Sequence, residues 1–162
     1  MNKMTLKHSK SSKITPFLSI FASFLTILAI FTFTRCSKSG ASEKDQMLTF
    51  AKSNNITYTE DPSGVLYQII TPGTGTKPTI SSTITATYVG QLMNGNQFDA
   101  GTITYPLSSL IVGWQKGLPL IGAGGEIKLL IPSSLGYGSA GAGSSVPANA
   151  PLYFNVKLTA VN

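Results

Sequence analysis

A chain of 162 residues holds one domain plus appendages. Its net charge of +6 comes from the N-terminus, where Lys3, Lys7, Lys10, Lys13 and Arg35 stand without an acid; the remainder sets seven lysines against six carboxylates, which leaves no basic face for nucleic acid. The one histidine, His8, and the one cysteine, Cys36, both precede the patterned part of the chain, which argues against most hydrolytic, redox and metal chemistry.

Pro16 closes a basic, Ser/Thr-rich stretch, and residues Phe17 to Phe33 then run without a charge. Lysines ahead of such a run are the layout of a secretory signal, so residues 1–35 are read as a signal peptide or membrane anchor. A buried core helix fits less well, because the run is apolar all round. Two exits compete. Cys36 followed by the polar Ser37 to Ser42 resembles a bacterial lipoprotein signal with Cys36 lipidated, although Arg35 stands where that pattern has a small residue. The rival is an uncleaved anchor, since Ile14 to Phe33 has about the length needed to span a bilayer. Lipidation is favoured, because a lone exported cysteine has no disulfide partner in the chain. Either exit leaves the domain membrane-tethered in the cell envelope, facing the periplasm or the exterior.

Residues 36–62 read as a tether and short pre-domain. Met47, Leu48 and Ala51 fall at helical spacing within Glu43 to Lys52, and Asn54-Asn55 stops the helix. Asp61-Pro62-Ser63-Gly64 is a turn that opens the main domain, residues 63–162. From there the pattern is strand-like. Val65 to Ile70 is a short strand. Thr83 to Leu92 alternates and is rich in β-branched residues. Asn94-Gly95 turns the chain into Gln97-Phe98-Asp99, and Ile103 to Leu107 reads as another short strand. One short helix fits between Trp114 and Leu120, limited by Pro119. Glu126 to Ile131 and Pro151 to Val161 are the last strands, separated by Ser139 to Ser145, a loop of small residues read as flexible. The expectation is an antiparallel α+β domain with little helix.

Tyr88-Val-Gly, Gly95-Asn-Gln-Phe-Asp99, Gly113-Trp114, Ile131-Pro132, Gly136-Tyr-Gly138 and Leu152 to Leu158 occur in one order. With Gly73 to Pro78 ahead of them, they resemble the FKBP-type peptidyl-prolyl cis–trans isomerases from about Gly64 to Val161. The resemblance implies a twisted antiparallel sheet wrapped around one short helix, with a pocket between them. It implies Tyr88, Phe98, Asp99, Trp114, Tyr137 and Phe154 as the catalytic set and Leu110, Ile111, Val146 and Ile103 as further substrate contacts. Trp114 would floor the site under a proline ring, and Tyr137 would donate to a substrate carbonyl. The implied partners are proline-containing polypeptides of exported proteins and macrolide inhibitors; no cofactor and no metal are implied. Read from residue type alone, Trp114 and Phe98 also suit a core, Asp99 a turn cap, and Tyr137 a loop.

Two departures from the family pattern stand out. Only Ala-Gly-Thr-Ile-Thr separates Asp99 from Tyr105, and no arginine follows Arg35 to pair with Asp99. Asp99 is therefore expected to rely on tyrosine or backbone donors, and Ile103 stands where an aromatic wall is usual.

Such residue types suit isomerisation because nothing covalent has to break. The barrier to turning a peptide bond is about 18–20 kcal/mol, and a pocket that fits the twisted amide better than either planar form lowers it. The rival functions are a proline-peptide-binding chaperone or assembly module on the same fold, and a purely structural lipoprotein.

Overall fold

The β-branched alternation of residues 83–92 becomes one of three ten-residue strands in a six-stranded sheet in the computed structural model, which describes residues 41–162. The segments read as signal, anchor and lipidation site, Cys36 included, lie outside the described residues. Helix α1 spans Glu43–Ser53 and α2 spans Val112–Gly117. The strands are β1 (Thr59–Glu60), β2 (Leu66–Thr71), β3 (Thr83–Leu92), β4 (Gln97–Pro106), β5 (Glu126–Ile131) and β6 (Leu152–Val161). They pair antiparallel in the order β1-β2-β5-β6-β3-β4. Among the described residues no helix is long and apolar enough to cross a membrane.

The main core lies between the sheet and α2. Ile84 and Ala86 of β3, Ile127, Leu129 and Ile131 of β5, and Phe154, Val156 and Leu158 of β6 all point into it. Two glycines let α2 sit close. A Cβ at Gly113 would lie 2.4 Å from Ile131 Cγ2, and one at Gly117 would lie 2.5 Å from Leu129 Cδ2. The helix starts two residues before the expected Trp114 and passes at Leu118–Leu120 into a 3-10 turn that holds Pro119.

The expected pre-domain helix forms and docks on the opposite face of the sheet. Ser42 caps it, accepting from the Asp45 N–H at 3.1 Å, while Asp45 accepts in return from the Ser42 N–H at 3.3 Å. Met47, Phe50 and Ala51 pack on Leu66, Leu130 and Tyr153. Burying each of the larger side chains is worth about 1.5–3 kcal/mol, which is why Leu130 is buried although it faces away from the main core.

One strand replaces two expected ones. Gln97 to Asp99 and Ile103 to Pro106 are parts of a single β4, and Leu107 begins the 3-10 turn after it. The glycine between them did not break it, because Thr102 and Thr104 pair with Thr87 and Thr85 across the hairpin through hydroxyl hydrogen bonds of 2.8 and 2.9 Å. The turn into β4 is as read, with Gly95 at φ +86° and Asn94 Oδ1 accepting from the Asn96 N–H. The loop of small residues is tied back on itself, Ala142 and Val146 exchanging two backbone hydrogen bonds.

Candidate functional site

Six parts of the chain meet over one hollow of about 80 Å³ between sheet and α2. Tyr88 comes from β3, Asp99 and Ile103 from β4, Leu110 and Ile111 from the approach to α2, Trp114 from α2, Tyr137 from the loop after β5, and Phe154 from β6. That volume is several times the ~10–15 Å³ that admits one water and suits a small apolar ring.

Three aromatic rings form the base. Trp114 meets Tyr88 at 5.2 Å and 84° and meets Phe154 at 5.3 Å and 87°, both edge to face. Trp114 and Phe154 are each 3 % exposed, so they are core and site surface together. Phe98 stands behind this wall, edge to face with Phe154 at 5.5 Å, and does not line the hollow. Val146 is buried in the core and does not line it either.

Glycine makes the ring cluster possible. A Cβ at Gly90 would lie 2.8 Å from Phe98 and 2.9 Å from Phe154. A lone glycine inside a β-branched strand is the sequence signal for such an approach, and the sequence reading assigned it no role. Gln115 was also missed. Its Nε2 donates to the Leu110 carbonyl at 2.7 Å and to the Ser108 carbonyl at 3.3 Å, holding the segment that presents Leu110 and Ile111.

The polar groups sit at the rim. Tyr88 Oη donates to Asp99 Oδ2 at 2.5 Å, the tyrosine donor that the absence of an arginine called for. Asp99 is exposed rather than buried, so water reaches it alongside Tyr88. Burial, then the hydrogen bond to Asp99, pushes the Tyr88 phenol well above its ordinary range. Burial, then the Asp99 charge, pushes the Tyr137 phenol up too. Both are therefore O–H groups at neutral pH, and the Tyr137 hydroxyl, on a residue 36 % exposed, meets no acceptor among the described residues. Its position is set from both sides. Gly136 lies where a Cβ would come within 2.9 Å of Leu152, and Gly138 takes φ +56° and accepts from the Asn149 N–H. Among the described residues no group of three or more His, Cys, Asp or Glu could hold a metal ion.

The family model for FKBP-type peptidyl-prolyl cis-trans isomerases matches residues 74–159. The chain belongs to that family. This FKBP-type chain is 40% identical over 116 residues to the FKBP-type peptidyl-prolyl cis-trans isomerase FkpA of Aeromonas hydrophila, covering 68% of the chain and 42% of the relative. It is 39% identical over 105 residues to the outer membrane protein MIP of Legionella longbeachae, covering 62% of the chain and 45% of the relative. The crystal structure of FkpA from Escherichia coli superposes with a TM-score of 0.68 at 35% identity, over 75% of this chain and 58% of that one. A peptidyl-prolyl cis-trans isomerase from Pseudomonas syringae superposes with a TM-score of 0.65 at 33% identity, over 74% of this chain and 93% of that one. The FKBP-type chain thus spans less than half the length of these two curated relatives, and the fold matches the expected sheet around a short helix.

Proposed function

We propose that this FKBP-type domain catalyses cis–trans isomerisation of Xaa-Pro bonds. The observation that carries the reading is the cup in which Tyr88 and Phe154 each meet Trp114 edge to face, with the Tyr137 hydroxyl at its mouth. The proline ring sits on Trp114, in a wall too apolar to favour the charge-separated resonance form that keeps the amide planar. Tyr137 donates to the carbonyl of the turning bond or its neighbour, and Asp99 with Tyr88 supplies the polar side of the wall. No proton moves and no covalent bond breaks, so a site without a base is adequate. A thousandfold acceleration needs only about 4 kcal/mol of preference for the twisted amide.

The test is the exchange rate of a short Xaa-Pro peptide with the folded domain, alongside Trp114→Ala and Tyr137→Phe. Acceleration that falls in both variants supports the reading. Binding of proline peptides without acceleration would instead identify a binding module, and a macrolide inhibitor that competes for the hollow would report occupancy in either case.

The clients we propose are exported proteins, with the domain held at a membrane through Cys36 or through the apolar segment before it. The support is the basic, apolar, cysteine order of the N-terminal sequence, and a relative named as an outer membrane protein. Mass spectrometry of the mature N-terminus distinguishes a lipid-modified Cys36 from an intact anchor. A Cys36→Ser protein that stays fully membrane-bound would favour the anchor.

A further inference from the structure

Among the described residues β4 is the last strand of the sheet, bordered only by β3. Its hydrogen-bonding sides follow from the register. The Leu107 N–H donates to the Ser82 carbonyl at 2.9 Å, and counting back by twos makes Ile84–Tyr105, Ala86–Ile103, Tyr88–Gly101 and Gly90–Asp99 the bonded pairs. The N–H and C=O groups of Ala100, Thr102 and Thr104 therefore face outward. No backbone group among the described residues meets them. Pro106 is next in that outward series, and its missing N–H ends the run.

Edges of this length are usually blunted by charge or by a bulge. From Ala100 to Pro106 this one has neither: no residue is charged, and the only register shift lies earlier, at Gly90/Gln91. Ala100, Gly101, Thr102, Thr104 and Tyr105 are all exposed. The side chains divide by face. Thr102 and Thr104 bond to Thr87 and Thr85 away from the site, whereas Asp99 and Ile103 line the hollow. Gly101 stands between those two, and a Cβ there would meet nothing within 4 Å. The edge thus runs directly past the site, with an open notch beside it.

We propose that this edge takes an extended segment of the client polypeptide as a seventh strand, next to the proline held in the hollow. The proposal rests on the isomerase reading and adds a second binding element to it. Client backbone pairs with Ala100, Thr102 and Thr104, which is independent of sequence, and alternate client side chains enter the notch at Gly101. The continuity of the strand with the hollow through Asp99 and Ile103 is what selects a client segment over a second copy of the chain. Such an element favours unfolded over folded clients, because only an unfolded segment has backbone to offer.

The experiment compares kcat/KM for a tetrapeptide with a central Xaa-Pro bond and for the same peptide extended by about six residues, a typical strand length. A gain of about tenfold is expected, corresponding to two or three backbone hydrogen bonds. N-methylating alternate residues of the extension in one register removes the gain, and methylating the other register leaves it. Thr102→Pro brings the long-to-short ratio towards one. Absence of any gain, or a gain that survives methylation in both registers, overturns the proposal. So does a concentration-dependent dimer in sedimentation that Thr102→Pro disperses, which would give the edge to a second copy. A tetrapeptide that is not accelerated at all counts against the isomerase reading instead, and anisotropy binding of the same methylated series then decides the edge separately.

Discussion

Tyr88 and Asp99 are diagonal neighbours: in register Tyr88 faces Gly101 and Asp99 faces Gly90, yet the phenol reaches across to donate a 2.5 Å hydrogen bond to the carboxylate. The bond ties β3 to β4 at the rim of the hollow and keeps Asp99 turned towards the aromatic wall. Tyr88→Phe should cost about 1 kcal/mol in urea titration, at the low end for a hydrogen bond to a charge because Asp99 is open to water. The same change should lower kcat/KM by roughly fivefold as Asp99 turns outward. An unchanged rate would remove Asp99 from the site.

Trp114→Ala should destabilise by about 3–5 kcal/mol, since the indole is buried between Tyr88 and Phe154. Trp114→Phe should cost under about 2 kcal/mol, a change of shape in a packed core. The indole Nε1 is buried without a hydrogen-bond partner, so the smaller ring gives up no polar contact. A Phe variant as unstable as the Ala variant would contradict this.

Gly90→Ala should cost about 1–3 kcal/mol by overpacking, because the new methyl meets the rings of Phe98 and Phe154. Near-UV circular dichroism should change with it, and isomerase activity should fall even though residue 90 touches no substrate. Wild-type stability would mean that the two rings part freely.

Glu43 reaches from the start of α1 to Ser133, accepting from its N–H and its hydroxyl, both at 2.7 Å. Ser133 is 4 % exposed, and Tyr137 follows it closely in the chain. Glu43→Ala should cost about 1–3 kcal/mol by orphaning two buried donors. Glu43→Gln, which keeps one acceptor, should recover part of that. Hydrogen exchange at the Ser133 amide reports the loss directly.

Raised phenol pKa values carry a definite sign. Tyr88 and Tyr137 hold their protons more tightly folded than unfolded, so their contribution is complete below the ordinary value of 10.0 and is lost as pH rises through the folded values. Stability should therefore decline above about pH 10, and less steeply in Tyr88→Phe. Activity should be level through neutral pH, with any loss on the alkaline side only. An acid-side requirement for a deprotonated phenol would refute the donor roles.

Much of the domain was legible before any coordinates. Alternation over residues 83–92, the Asn94-Gly95 turn and the helical spacing of Met47, Leu48 and Ala51 act within a few residues, and their outcomes do not depend on distant partners. Where local signals misled, a distant partner intervened. Gln97 to Asp99 and Ile103 to Leu107 read as separate segments, yet Thr85 and Thr87 pair with Thr104 and Thr102 of one continuous strand. The pre-domain helix was legible as a helix, but its docking was not, because that depends on the apolar face of Leu66, Leu130 and Tyr153.

The site divides in the same way. Residue types were enough to argue against most hydrolytic, redox and metal chemistry and to nominate an aromatic pocket, because those readings need only an inventory of side chains. Which aromatics line the hollow was another matter. Phe98 and Phe154 look alike in sequence, and one stands behind the other. That ordering, the reach of Tyr88 to Asp99 and the bare edge of β4 arise where strands far apart in the chain are brought within a few ångströms, and no local pattern encodes such distances.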